Sequence, residues 1–442
     1  MRRAAALTLC LALLYAAIIG GFWHPSEKPK MRDISAFTDL MKEIKPVLLR
    51  KNRPKISPTH APETSTAISS AARDLESYIG TLSGFQTRFA ALKTNALTPC
   101  QRDEFYRYWG ALNHWQFWAD RQAPQQTPER LYEAEALQFT GLPLDFGAFK
   151  ARGEAEFQTV TDELDALARR VQTEYGETLE IYAARPEHYS ETDAELTPRL
   201  GAELLAVEAA FKDDFAFAPV PAAAVISKAE FGPYYSMASY SRNDNAMVVY
   251  WQNKPYNHRY DTMLAVHEIM PGHHQQIAMK KKQSCTTGPI SAPLPFLEGW
   301  ASYAEVLADE RGLFTRADQR LGWLDYRLIR AMRIILDTQR TQDALTKPQA
   351  RSLWERRMPP RLHELFEREW ARITQTRQHL TYIFGADAIL TARTHVKSTQ
   401  GDHYSEAAFH AALLNSQHRS LAYLGPRMNA QIEARNDRGL RP

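Results

Sequence analysis

The stretch HEIMPGHH, residues His267 to His274, decides how the whole sequence is interpreted. In a helical His-Glu-x-x-His pattern, two imidazoles lie one turn apart and bind zinc, with the glutamate beside the ion as general base. Here the fourth position after His267 is Pro271. Because proline lacks a backbone donor and its ring opposes the carbonyl of residue 267, a helix that reaches Glu268 must bend or end here.

A bend at this proline changes which histidines can share an ion. On a straight helix, His273 would lie about 9 Å along the axis from His267, and His274 about 10.5 Å along it. Pro271 suits the first turn of a new helix, and Gly272 tolerates a tight turn. Two helices that meet at these residues could each bring one histidine toward a single metal ion.

A third ligand is expected because zinc sites with two imidazoles usually take one more protein ligand and keep a position open for water. The candidate is Glu298 in FLEGWASYAEVLADE, Phe296 to Glu310, which has helical spacing and an acidic stripe. Glu305 lies on the same face, where it could orient a ligating histidine. A chance His-Glu pair, a Pro-Gly turn and a solvated acidic stripe would explain these residues without a metal.

Most of the chain after residue 66 has the spacing of helices, which predicts a mainly α fold. Long helices are predicted over 98–119, 146–176, 194–215, 317–345 and 363–393.

A β-hairpin is predicted just before the histidine stretch. In residues 233–255, aromatic and β-branched residues flank the polar turn 242–245. The hairpin or edge sheet should therefore lie next to the metal helix, where zinc hydrolases often bind an extended substrate through its backbone.

The N-terminus predicts export. Two arginines precede an uncharged, mostly apolar run over 4–23, so residues 1–23 are a signal peptide or an N-terminal membrane anchor. Both alternatives place the rest of the chain in the periplasm or on the outer side of the cytoplasmic membrane. Residues 24–66 are predicted to be a linker or N-terminal arm, and 67–442 one mostly helical catalytic domain.

Composition gives no support to a nucleic-acid partner. The 442 residues carry 54 basic and 51 acidic side chains, a net charge of only +3. Apart from Cys10 in the apolar run, the cysteines are Cys100 and Cys285. An oxidising compartment would permit them to pair, and two buried free thiols are the alternative.

Two motifs together resemble a known family. HEIMPGHHQQ followed by PFLEGWASYAE, with the pair Tyr234 and Tyr235 ahead of them, is similar to bacterial proteins grouped as domain of unknown function 885. These are exported proteins or lipoproteins placed with the zinc-dependent peptidases. The likeness extends over about 144–424 and implies a zincin-like helical metallopeptidase fold.

The resemblance also implies roles for individual residues. It makes His267, His273 and Glu298 the zinc ligands and Glu268 the base that activates water. Glu305 and His274 would lie next to the ligands and orient them without binding the ion.

A tetrahedral intermediate would need a further hydrogen-bond donor, and a substrate carboxylate would need a cation. Candidates for the donor are Tyr382, Tyr235 and His410, each of which could instead be a packed aromatic or a core histidine. Arg393 is the candidate for the carboxylate.

The predicted function is a gluzincin-like zinc metallopeptidase that cleaves peptide bonds outside the cytoplasm, with its oligomeric state left open. Two alternatives remain: an exported zinc-binding protein without turnover, and an amidase acting on cell-wall peptides. The first is favoured by Thr341, which replaces a histidine of the family's Asp-x-Gly-x-His pattern in this chain's 337–341. Retention of Glu268 favours an enzyme.

Overall fold

The computed structural model describes residues 31–48, 65–121, 127–190, 192–212, 215, 224–228, 237–250, 255–278, 296–415 and 421–437. Most of these residues are helical. The helices are α1 Met31–Val47, α2 Ser65–Ala90, α3 Pro99–Asp120, α4 Pro128–Thr140, α5 Phe146–Tyr175, α6 Leu179–Ala183, α7 Asp193–Phe211, α8 Asp261–Glu268, α9 His273–Ala278, α10 Phe296–Glu310, α11 Ala317–Asp343, α12 Lys347–Arg357, α13 Phe366–Gln375, α14 Leu380–Gln400, α15 Glu406–Asn415 and α16 Leu424–Asn436.

Five short strands form two small sheets. The strands are β1 Tyr189–Ser190, β2 Ala224–Lys228, β3 Ala238–Ser241, β4 Ala246–Tyr250 and β5 Tyr256–Asn257. Strand β4 lies between β2, which runs parallel to it, and β3, which runs antiparallel, while β1 pairs with β5. The predicted hairpin is therefore present as β3 and β4, and the mainly α fold with a small edge sheet is confirmed.

Two hydrophobic clusters organise the described residues. The smaller one joins helices α1, α2 and α3, and the larger one joins α4 to α8 and α10 to α16 with strands β3, β4 and β5. A buried ion pair, in which Arg427 Nε lies 3.0 Å from Asp103 Oδ1, connects α16 to α3. The two clusters thus belong to neighbouring parts of one helical assembly.

Helix α1 corrects the predicted linker at 24–66. Phe37, Leu40, Met41 and Ile44 recur at helical spacing and are buried in the smaller cluster. These apolar residues, at three and four positions apart, form the buried face of an amphipathic helix. The linker prediction is wrong for 31–47, and residues 49–64 lie outside the described part.

The helix predicted over 146–176 is confirmed as α5. Specific residues determine where it begins and where it ends. The Asp145 side chain accepts a hydrogen bond from the backbone N–H of Ala148, which satisfies a free donor of the first turn. Gly176 ends the helix with φ of +73°, a left-handed conformation that glycine adopts without steric cost.

The helix predicted over 363–393 is wrong at its centre. The chain forms α13 and α14 instead, with Thr376 extended between them. The buried carboxylate of Asp337 on α11 binds Arg377 and lies 3.1 Å from His379 Nε2. These contacts of residues 377 and 379 with the buried Asp337 hold the chain at the break against α11.

Helices α10 and α14 cross with their backbones in contact. A Cβ atom placed on Gly299 would lie 2.6 Å from the Cα atom of Gly385. Position 299 therefore does not accommodate a side chain in the observed packing.

Residues 1–30, which include the predicted signal peptide or anchor at 1–23, lie outside the described part. Within that part, every helix is too short or too polar to span a bilayer. Cys100 is disulfide-bonded. Cys285, the partner considered from the sequence, also lies outside the described residues.

Candidate metal centre

The histidine stretch folds as two short helices joined by a tight bend. Helix α8 ends at Glu268, the Met270–Pro271 peptide bond is cis, and α9 begins at His273. The backbone N–H of Gly272 donates to Val266 O at 3.0 Å, so the chain folds back on the end of α8. The bend predicted at the proline and glycine is present.

Only glycine fits at the centre of this bend. A Cβ atom on Gly272 would lie 1.9 Å from the carbonyl oxygen of His267. From α10, the indole N–H of Trp300 donates to Pro271 O at 2.7 Å. The bend is therefore held against the helix that carries Glu298.

The bend brings two imidazoles and one carboxylate together. Glu298 Oε2 lies 3.4 Å from His267 Nε2 and 3.5 Å from His273 Nε2. One ligand atom from each residue lies within 4.8 Å of the others, and both histidines are buried. Two neutral nitrogen donors and one oxygen donor are the ligand set of a catalytic zinc site, so these residues fit that ion.

The electrostatics of the cluster suit a cation. Burial lowers the pKa of His267, but hydrogen bonds to Glu298 and Glu305 outweigh that effect and raise the pKa to about 9. The pKa of Glu298 is well below its usual range because both histidines bind it, although burial acts in the opposite direction. Glu298 and Glu305 thus place negative charge beside the imidazole of His267. This charge favours a bound cation.

Glu305 lies behind His267, as predicted. Its Oε1 atom is 2.7 Å from His267 Nδ1, and its two oxygens accept hydrogen bonds of 2.7 and 2.8 Å from the guanidinium of Arg330. Burial raises the pKa of Glu305, but Arg330 and His267 lower it to about 2. Because Nδ1 is engaged by Glu305, Nε2 of His267 is the nitrogen that faces the other two ligands.

Glu268 lies beside the three candidate ligands without belonging to their set. It follows His267 directly at the end of α8 and is 6% exposed. Its Oε2 atom accepts a hydrogen bond of 2.8 Å from the backbone N–H of Tyr240 on strand β3. The hairpin and the candidate base are therefore in direct contact.

Tyr382 lies on the side of α14 that packs against the cluster. Its ring stacks on that of His267 with centroids 6.1 Å apart and planes 22° apart. Burial and the charge of Glu298 raise the pKa of its hydroxyl, so the hydroxyl keeps its proton and can donate a hydrogen bond.

His274 and His410 have other surroundings. The His274 ring packs edge-to-face on Tyr240 with centroids 5.0 Å apart, behind the bend. His410 Nε2 lies 2.9 Å from the hydroxyl of Tyr303, and His410 is only 1% exposed. Tyr303 and Glu298 lie about 140° apart around α10, so His410 is part of a buried polar cluster rather than of the metal centre.

The remaining predicted residues are placed as follows. Arg393 pairs with Glu310 at 2.8 Å and with Glu406 at 2.6 Å, so its guanidinium is already engaged by two carboxylates. Its role as a binder of substrate carboxylates stays a prediction. Thr341 bonds its own helix through Asp337 O. Tyr235 lies outside the described residues.

Three residues of the centre were not identified from the sequence. They are Tyr240, which binds Glu268, Arg330, which binds Glu305, and Gln378, whose Nε2 atom donates to Glu298 Oε1 at 3.3 Å. Tyr240 acts through its backbone N–H, which the identity of its side chain does not predict. Arg330 carries no motif of its own, and Gln378 begins a stretch, 378–385, that resembles the family but was given no role at the site.

This fold and this cluster define a mainly helical protein with a candidate metal centre at a bent helix. The family described as "Bacterial protein of unknown function (DUF885)" matches residues 36–428, and the chain belongs to it. Comparison with curated proteins finds no match.

Solved structures share the fold at low sequence identity. A "putative lipoprotein" from Colwellia psychrerythraea is 20% identical, with a TM-score of 0.58 over 83% of this chain and 72% of that chain. A "putative lipoprotein of unknown function" from Shewanella oneidensis is 15% identical, with a TM-score of 0.54 over 96% of this chain and 91% of that one. Metallocarboxypeptidase 1 of Trypanosoma cruzi aligns at 12% identity with a TM-score of 0.37 over 90% and 92% of the two chains, which is too distant to support an argument.

Proposed function

We propose that this protein is a zinc-dependent hydrolase of peptide bonds that acts outside the cytoplasm. The observation that carries the proposal is the position of Glu268. A buried carboxylate directly follows a candidate ligand and contacts the edge strand, while a different glutamate, Glu298, completes the ligand set. A site that only held an ion would not require this additional acid.

A bound zinc ion would polarise the scissile carbonyl and lower the pKa of the attacking water. Glu268 would take the proton of that water and pass it to the leaving amine. With Oε2 held by the Tyr240 N–H, Oε1 is the oxygen assigned to this transfer. The hydroxyl of Tyr382 would donate to the oxygen on which negative charge develops.

Strand β3 is assigned to the substrate backbone. Among the described strands it lies at the edge of its sheet, and it contacts the candidate base through Tyr240. An extended peptide that pairs with such an edge gains main-chain hydrogen bonds without strict sequence preference. Location outside the cytoplasm is supported by the apolar N-terminal run and by the lipoprotein descriptions of the two structural neighbours.

The test combines metal analysis with a peptide digest. Elemental analysis of the purified protein should find close to one zinc ion per chain, and a peptide library should be cleaved until a chelator is added. Restoration of cleavage by zinc after dialysis excludes an unrelated effect of the chelator. Zinc at one per chain with no cleavage of free or cell-wall peptides would instead support the zinc-binding protein without turnover. A protein that neither contains nor binds zinc would contradict the proposal.

A further inference from the structure

The guanidinium of Arg330 donates two parallel hydrogen bonds to the carboxylate of Glu305, which contacts the candidate ligand His267. It lies on α11, with its side chain 5% exposed, and its two terminal nitrogens donate to the two oxygens of Glu305 at 2.7 and 2.8 Å. Glu305 Oε1 is in turn 2.7 Å from His267 Nδ1. The planar guanidinium thus fixes the plane of the carboxylate that His267 meets.

The same guanidinium also contacts the aromatic ring on the other side of His267. Its central carbon lies 4.7 Å from the centroid of the Tyr382 ring, and that ring stacks on His267. His267, Glu305, Arg330 and Tyr382 therefore form a closed circuit in which each side chain contacts the next. Three helices after α8 contribute one member each: α10, α11 and α14.

On this circuit we propose that Arg330 is a positioning residue of the metal centre, a role that rests on the proposed zinc site. Arg330 holds Glu305 so that the Nδ1 proton of His267 points at the carboxylate and Nε2 points at the ion. It also holds the Tyr382 ring against the imidazole. A ligand whose tautomer and ring plane are set in advance loses less freedom when the ion binds.

Exchanging Arg330 for lysine distinguishes an effect of side-chain geometry from an effect of charge. A positive group near a cation site repels the cation, so charge alone would not favour an arginine here. Lysine keeps the charge but cannot form two parallel hydrogen bonds or lie flat on a ring. If Arg330 acts through geometry, Arg330→Lys weakens zinc binding although the net charge of the site is unchanged.

Arg333 provides a matched control. It lies one turn further along α11, its side chain is also 5% exposed, and its Nε atom lies 2.5 Å from the buried carboxylate of Glu369. Glu369 is on α13 and does not contact a member of the His267, His273 and Glu298 set among the described contacts. The guanidinium carbon of Arg333 lies 5.9 Å from the centroid of the Tyr382 ring, further than the 4.7 Å of Arg330, and its described contacts do not include Glu305 or His267. Arg333→Lys therefore disturbs a similar buried ion pair without disturbing the carboxylate that holds His267.

The experiment measures zinc affinity of the metal-free protein by competition with a chromophoric chelator, together with the visible absorption of the cobalt-loaded protein. We expect Arg330→Lys to bind zinc roughly 10 to 100 times more weakly and to change the cobalt spectrum, as for other residues that orient ligands. Arg333→Lys should stay within about threefold of the wild type. In a Glu305→Gln background, Arg330→Lys should add little further loss, because its effect passes through Glu305.

The outcomes separate this inference from the proposed function. Zinc affinity of Arg330→Lys equal to that of the wild type, or equal losses in both arginine variants, overturns the role of Arg330 and leaves the zinc site standing. No zinc binding by the wild type overturns both. If Arg330→Lys does not fold, Tyr382→Leu tests the circuit from the opposite side: zinc binding weakened about threefold or more supports it, and unchanged binding contradicts it.

Discussion

The backbone N–H of Tyr240 donates a 2.8 Å hydrogen bond to Glu268 Oε2. This contact joins the edge strand β3 to the last residue of α8. It satisfies one oxygen of a buried carboxylate, which would otherwise be costly to keep out of water. Any change at Glu268 should therefore be judged both by its effect on proton transfer and by its effect on the hairpin.

Glu268→Gln should separate these two effects. The amide oxygen of glutamine can still accept from the Tyr240 N–H, but the side chain can no longer take a proton. We expect the zinc content to stay near that of the wild type and peptide cleavage to fall at least about 100-fold. His267→Ala, measured in parallel, should lose the zinc itself. Equal cleavage by Glu268→Gln and wild type would refute the role of this glutamate.

Gly272→Ala should open the bend and scatter the ligands. The new Cβ atom would lie 1.9 Å from His267 O, so the backbone at this point must shift. We expect a loss of about 2 kcal/mol or more in the free energy of unfolding and a parallel loss of zinc. Thermal unfolding and elemental analysis measure both quantities.

Gly80→Ala is the matched control for that substitution. A Cβ atom at Gly80 in α2 meets nothing within 4 Å, so alanine should stabilise the helix by about 0.5–1 kcal/mol. Zinc content should not change. If Gly272→Ala behaved like Gly80→Ala, the bend would not depend on glycine.

Tyr382→Phe should lower turnover without releasing the metal. The ring that stacks on His267 and lies beside Arg330 is kept, and only the hydroxyl is lost. Loss of one donor to a developing oxyanion reduces kcat by about 100-fold or more. Unchanged kcat with unchanged zinc content would show that another group supplies this donor.

His258 should make the protein less stable in acid. Burial and the charge of Arg199 lower its pKa from 6.5 to about 4, while its Nε2 atom lies 2.5 Å from Ser190 Oγ. The unfolded chain binds a proton near pH 6.5 and the folded chain does not until about pH 4. The free energy of unfolding therefore falls as the pH drops through this interval, by roughly 1 to 3 kcal/mol for this group.

Urea unfolding of the metal-free protein and of His258→Gln at pH 7.5, 5.5 and 4.5 measures this contribution. The difference between the two proteins isolates His258 from the neighbouring His188, Glu187 and Asp318, which are present in both. We expect the wild type to lose more stability than the variant on acidification. Parallel curves for the two proteins would rule out the contribution of His258.

The parts of the fold that the sequence predicts are those determined locally. Helix α5 is delimited by Asp145 at its start and Gly176 at its end, and the hairpin by its polar turn. The break between α13 and α14 was missed because residues 376–379 contain neither proline nor glycine. That break depends on Asp337, which is distant in sequence and buried among its partners.

The candidate site likewise contains residues that local motifs predict and residues whose partners only the fold determines. His267, Glu268, His273 and Glu298 stand in two short motifs, so their grouping could be predicted, and the structure brings the three candidate ligands together. His410 and Arg393 were chosen by residue type alone. A lone histidine or arginine carries no information about which neighbouring helix it meets. His410 contacts Tyr303 on α10, and Arg393 contacts Glu310 on α10 and Glu406 on α15.

The contact between Gly299 and Gly385 sets how far apart Glu298 and Tyr382 can lie. Glu298 directly precedes Gly299 on α10, and Tyr382 lies one turn before Gly385 on α14. Main-chain atoms are already in contact there, so smaller side chains cannot bring the two helices closer together. A side chain at position 299 would force the two helices apart at this point. The distance between the candidate ligand and the candidate hydrogen-bond donor is thus fixed by main-chain packing.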